Sequence, residues 1–95
     1  MVIGLGVVTL RLHDCRSLKE KRTVVKSVIG QVRNHFNASV AEIDDNDIYQ
    51  RAQIGFSLVG NDRAVINSKI DKIFNAAENM ALAQITETRM EILSI

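Results

Sequence analysis

Ninety-five residues with 46% apolar and 24% charged side chains have the length and composition of one ordinary globular domain, and they exclude a disordered chain, a fibrous repeat and a disulfide scaffold. A chain of this size buries roughly 60% of the surface its unfolded form exposes, enough for a core that needs neither metal nor disulfide. The net charge of +1 names no partner, and the single cysteine, Cys15, has no second thiol to pair with, as in proteins of a reducing compartment.

Residues 1–10 are almost wholly apolar, yet no Lys or Arg precedes them and no small-residue cleavage site follows. The stretch is also far shorter than the roughly 20 residues of a membrane-spanning helix, so the expectation is a cytoplasmic protein with no membrane contact. Residues 2–12 read as a long strand, covered on both faces because the run is apolar without alternation. His13 to Arg16 form a loop. Ser17 followed by Glu20 is a capping box, in which each side chain satisfies the other residue's free backbone N–H. The helix it opens runs to about Phe36, with Leu18, Val25, Ile29, Val32 and Phe36 on one face.

Residues 38–44 form a second strand. Asp45, Asn46 and Asp47 make a turn, because such side chains bond their own backbone. Residues 51–60 are the clearest strand in the chain, with Ala52, Ile54, Phe56 and Leu58 alternating against Arg51, Gln53, Gly55 and Ser57. Asn61 or Asp62 caps a second helix whose buried stripe is Ile66, Ile70, Ile73, Ala77 and Met80, ending near Asn79. Residues 82–95 form a last, largely polar strand. The order β-α-β-β-α-β predicts one α+β domain over residues 1–95, a ferredoxin-like sandwich with a four-stranded antiparallel sheet and two helices on one face. The other face is left open. Arg51, Gln53, Ser57 and Glu42 are expected to lie on it and to make it polar.

The run Ser17-Leu18-Lys19-Glu20-Lys21-Arg22, with Ser27, Arg33, Phe36-Asn37 and Ser39-Val40-Ala41-Glu42, resembles the signature of the YlxP-like proteins. Gln50-Arg51-Ala52 and Asn61-Asp62-Arg63 extend the resemblance over essentially the whole chain, while Tyr49 stands where a tryptophan is common. The resemblance implies a ferredoxin-like fold and no established activity. It also implies a place near the ribosome or RNA, because genes of that family commonly lie beside those for a translation initiation factor and a ribosome-binding factor.

Charge is unevenly placed. Residues 1–36 carry seven Lys or Arg against two acids, and residues 37–95 carry five against nine. On the first helix Lys19, Arg22, Lys26 and Arg33 fall within about 60° of one another at roughly 100° per residue, with Arg16 at the helix entrance. The five residues are either a binding stripe for RNA phosphates or a solvated face balanced by the acidic second half. A phosphate at the helix N-terminus competes with simple capping by Ser17 and Glu20.

Other constellations are weaker. Phe56 alternates with core-facing residues and the first strand has no aromatic, so bases are not expected to stack on the sheet as in RNA-recognition motifs. His13-Asp14-Cys15 places a thiol near an imidazole, but two ligands do not make a metal site and no partner motif accompanies them. Asp44-Asp45-Asn46-Asp47 lacks the glycine and distal glutamate of a calcium loop. No catalytic residue, cofactor, metal or small-molecule substrate is indicated. The expected function is an RNA- or ribosomal-subunit-associated binding module using Arg16, Lys19, Arg22, Lys26 and Arg33. The alternative is a homodimer assembled through the open sheet face.

Overall fold

The computed structural model describes residues 1–81 and 83–95. β1 (Val2–Arg11), α1 (Leu18–Phe36), β2 (Ser39–Asp44), β3 (Arg51–Gly60), α2 (Arg63–Ala81) and β4 (Gln84–Ser94) follow one another in the expected order. The strands form one sheet in the order β2-β3-β1-β4, and every neighbouring pair is antiparallel. Both helices pack on the same face. The expected start of the last strand at Leu82 lies outside the described residues.

The caps that open the helices are side-chain oxygens placed on free backbone N–H groups. Ser17 Oγ accepts from Glu20 N at 3.2 Å, while the Glu20 carboxylate accepts from Arg16 N at 2.6 Å, one residue before the amide a regular capping box would use. Asp62, not Asn61, caps α2, its Oδ1 accepting from Ala64 N and Val65 N at 2.9 and 3.2 Å. α1 closes at Asn37, whose left-handed φ of 53° suits its short polar side chain.

The core lies between the helices and one face of the sheet. β1 and β3 contribute Val8, Leu10, Ile54, Phe56 and Leu58, α1 contributes Val25, Val28 and Val32, and α2 contributes Ile66, Ile70 and Ile73. Phe56 and Phe74 meet edge to face with centroids 5.6 Å apart. Gly4 and Gly6 of β1 are cut to this packing. A Cβ on Gly4 would lie 2.6 Å from Ile66 Cγ2, and one on Gly6 would lie 2.3 Å from Phe56 Cζ.

The expectation that β1 is covered on both faces is corrected here. Val8 and Leu10 are buried, but Leu5 keeps 36% exposure, and Ile3 and Val7 are half-buried. β1 is central in its sheet, yet both helices sit on one side of it, so alternate side chains of its apolar run project onto the open face.

Two bulges shape the outer strands. β2 slips register between Glu42 and Asp44, which makes Ile43 the extra residue and turns its side chain over Gly55. β4 slips between the partners of Thr9 and Leu10, and Thr86, the residue left over, donates its hydroxyl to Thr9 O at 3.3 Å.

Substituting Gly6 and Gly30 by alanine should move stability in opposite directions. Gly6→Ala drives a methyl into Phe56, and overpacking of this kind costs about 1–3 kcal/mol. Gly30 lies within α1 with nothing within 4 Å of an added Cβ, so Gly30→Ala should add about 0.5–1 kcal/mol. Urea unfolding of the two variants reads both signs, and a stable Gly6→Ala protein would contradict the packing described.

Candidate functional site

Lys21 sets the orientation of α1. It follows the helix cap by one turn, it is only 1% exposed, and it points inward with Val25, Val28 and Val32. Its Nζ lies 2.9 Å from Glu42 Oε2 on β2 and donates to the carbonyl oxygen of Asp45. The contact with Glu42 is ionic rather than a well-directed hydrogen bond, and among the described residues that carboxylate oxygen has no other polar neighbour. Asp45 continues the network. Its Oδ2 accepts from Gln53 Nε2 at 2.9 Å and pairs with Arg51 Nε at 3.0 Å, with its backbone in the left-handed region at φ 64°.

With Lys21 held inward, the residues on the far side of α1 must face water. Arg16, Lys19, Arg22, Lys26 and Arg33 are all exposed. Three ion pairs exist among the described residues, Lys21–Glu42, Arg51–Asp45 and Arg89–Glu87, and none includes a member of the stripe. From Lys19 to Arg33 the stripe extends roughly 21 Å at 1.5 Å per residue. Three of the acids nearest in sequence to α1 are engaged elsewhere: Glu42 with Lys21, Asp45 with Arg51, and Glu20 in the helix cap.

Glu42 therefore does not lie on the open face, where the sequence placed it. It faces α1, because alternation along β2 puts it on the same side as the buried Val40, within reach of Lys21. Arg51, Gln53 and Ser57 do lie on the open face, but the centre of that face is apolar rather than polar. A trough of about 630 Å³ runs over it, lined by Leu5, Val7, Ala41, Ile43, Gly55 and Arg89 among others. Sequence reasoning missed Leu5, Val7 and Ile43. The unbroken apolar run of β1 was the available signal, since helices on one side of a sheet cannot cover both of its faces.

The first loop is not wholly a surface loop. Cys15 is 6% exposed and part of the core, and burial pushes its thiol above the ordinary range, with the nearby Glu20 and Asp14 carboxylates adding to the rise. Such a thiol stays protonated and is a poor nucleophile. His13 Nε2 lies 3.3 Å from Gln84 Oε1 instead of meeting Cys15. Among the described residues no three His, Cys, Asp or Glu side chains come together as a metal site, and no helix is long and apolar enough to cross a membrane.

A model of the family described as Protein of unknown function (DUF503) matches residues 3–90. The Uncharacterized protein YlxP of Bacillus subtilis (strain 168) is 31% identical over 90 residues, covering 95% of this chain and 98% of that one. Among solved structures, the de novo designed protein Foldit4 aligns over 100% of this chain and 99% of its own with a TM-score of 0.55 at 9% identity. The de novo designed protein LFR1 with ferredoxin fold aligns over 98% of this chain and 83% of its own with a TM-score of 0.54 at 13% identity. Both structural matches speak to the fold alone.

The Lys21–Glu42 contact should behave as a partly buried ion pair. Lys21→Met strands the Glu42 carboxylate, which keeps 18% exposure, and should cost roughly 2–4 kcal/mol. Lys21→Met combined with Glu42→Leu should recover most of that loss in urea unfolding, and a fully stable single variant would show that the pair holds nothing. Cys15 makes a separate, pH-dependent contribution. Its raised folded-state pKa stabilises the protein fully below the unfolded thiol's pKa, near 9.0, and that contribution is lost as pH rises through the folded value. The stability difference between wild type and Cys15→Ala should therefore be constant below about pH 8 and shift against wild type above about pH 9. A difference that is flat to pH 10.5 would contradict the burial of the thiol.

Proposed function

The chain belongs to the DUF503 family of proteins of unknown function, and we propose that it is a small binding module that docks α1 on the phosphate backbone of structured RNA at or near the ribosome. The observation that carries this reading is the stripe itself: four exposed cations on one side of α1 and Arg16 at its entrance, none of them in an ion pair among the described residues. Buried Val25, Val28 and Val32 hold the helix in place, so the charges are presented with little backbone left to order on binding. Three of the five are arginines, whose planar fork suits two oxygens of one phosphate. The association of YlxP-like genes with those of translation factors supports RNA as the polyanion.

Phosphate contacts position a protein without reading sequence. On the open face, β1 and β3 present no aromatic among the described residues on which a base could stack, because Phe56 is in the core. The module therefore recognises the shape and charge of RNA rather than a base sequence.

Binding of the purified protein to ribosomal RNA and to small ribosomal subunits, measured between about 50 and 200 mM salt, tests the reading. Four or five phosphate contacts should give a log–log slope of about −3 to −4.5. Replacing Lys19, Arg22 and Lys26 together by Gln should leave the fold intact, weaken binding strongly, and make the slope shallower by about 2–3. No binding at the lowest salt, or equal affinity in the triple variant, would return the stripe to a solvated helix face.

A further inference from the structure

The apolar centre of the open sheet face is flanked by charges of both signs. Two neighbouring rows cross the face. One runs Ser39, Ser57, Leu5, Glu91 and the other Ala41, Gly55, Val7, Arg89, with each residue paired to the next across β2, β3, β1 and β4. Small residues fill the β2–β3 half of both rows, bulky apolar residues fill β1, and β4 closes each row with a charge. The two charges are opposite in sign.

We propose that the occupant is a second copy of this chain, packed sheet face to sheet face about a two-fold axis that runs across the strands between these two rows. Such an axis exchanges the rows. Leu5 of one copy then meets Val7 of the other, and Ile43, which leans over Gly55, faces the Ser39–Ser57 end of the opposite trough. Arg89 of each copy meets Glu91 of the other, so one interface contains two identical ion pairs at its rim, as a two-fold axis requires. Both residues are available for this. Arg89 is 65% exposed and its contact with Glu87, itself 64% exposed, is 4.0 Å long, while Glu91 has no ion partner among the described residues. A partner of one charge sign would satisfy Arg89 or Glu91 but not both.

The area is adequate. Three strands of ten or eleven residues and one of six, about 4.8 Å apart at roughly 3.3 Å per residue, give a face of about 600 Å² per copy, or about 1,200 Å² for the pair. Sheets packed this way bury a layer of interdigitating side chains: about this axis β1 faces β1 through Leu5 and Val7, and Ile43 of each copy fills the space over the small β2–β3 residues of the other. The charged residues of β4 form the rim of this interface. The helices of both copies face outward, so the stripe on α1 remains free, and the assembly stands or falls independently of RNA binding.

Sedimentation from roughly 5 to 500 µM tests the proposal, that range spanning the dissociation constants an interface of this size supports. Wild type should sediment as a dimer in the upper part of the range. Arg89→Glu and Glu91→Arg each place like charges across the axis and should each weaken self-association at least tenfold. An equimolar mixture of those two variants should restore a dimer, because each then offers the sign the other lacks. Leu5→Lys, at an exposed position, should be folded by circular dichroism and monomeric. A wild-type monomer at the highest concentration overturns the proposal and assigns the face to a different partner. A mixture that remains monomeric overturns the stated axis, and a Leu5→Lys dimer as tight as wild type overturns the use of this face.

Discussion

The buried ammonium of Lys21 is the constraint on which the rest of this arrangement depends. A lysine at 1% exposure must be met by an acceptor, and Glu42 with the Asp45 carbonyl supplies what the interior otherwise lacks. The contact ties the first turn of α1 to the end of β2 and the turn that follows it. It also fixes the roll of the helix. With Lys21 and Val25 inward, Lys19, Arg22 and Lys26 have only solvent to face. The two lysines either side of Glu20 thus have opposite fates, one as part of the interior and one as part of the charged exterior.

The alternation of β2 shapes the sheet's other face. With Val40 and Glu42 on the helix side, Ala41 and Ile43 take the open side, and the bulge at Ile43 lays that side chain over Gly55. β1 then adds Leu5 and Val7. An open face that could have been a wet polar surface becomes an apolar patch with a charged margin, which is the composition of a protein interface centre and rim. The long edge strand β4 bears alternating Glu87, Arg89 and Glu91 along this side, and charges so placed discourage indiscriminate edge pairing while leaving a specific pattern to be matched.

The two surfaces are therefore of different kinds. The stripe on α1 is cationic and exposed to water. The sheet face is apolar at its centre. They lie on opposite sides of one thin α/β sandwich. Neither contains the perturbed, paired titratable groups of a reaction centre: the one clearly shifted group, Cys15, is held neutral and out of reach.

Much of the fold was legible in the sequence because it rests on local periodicities. The alternation of Ala52, Ile54, Phe56 and Leu58, the stripe Ile66, Ile70, Ile73 and Ala77, and the caps at Ser17 and Asp62 each involve residues within a few positions of one another, and their order leaves one simple topology. The stripe Arg16, Lys19, Arg22, Lys26 and Arg33 was legible for the same reason, since helical spacing places charges without reference to anything distant. What the sequence could not decide was every property that depends on two remote segments meeting. The Lys21–Glu42 pair joins positions in different elements, and either residue read alone is an ordinary surface charge. The burial of Cys15 follows from packing, not from the polar loop that carries it. The apolar run of β1 says that its side chains avoid water, but only the placement of both helices on one side of the sheet shows that alternate ones, Ile3, Leu5 and Val7, lie on its open face.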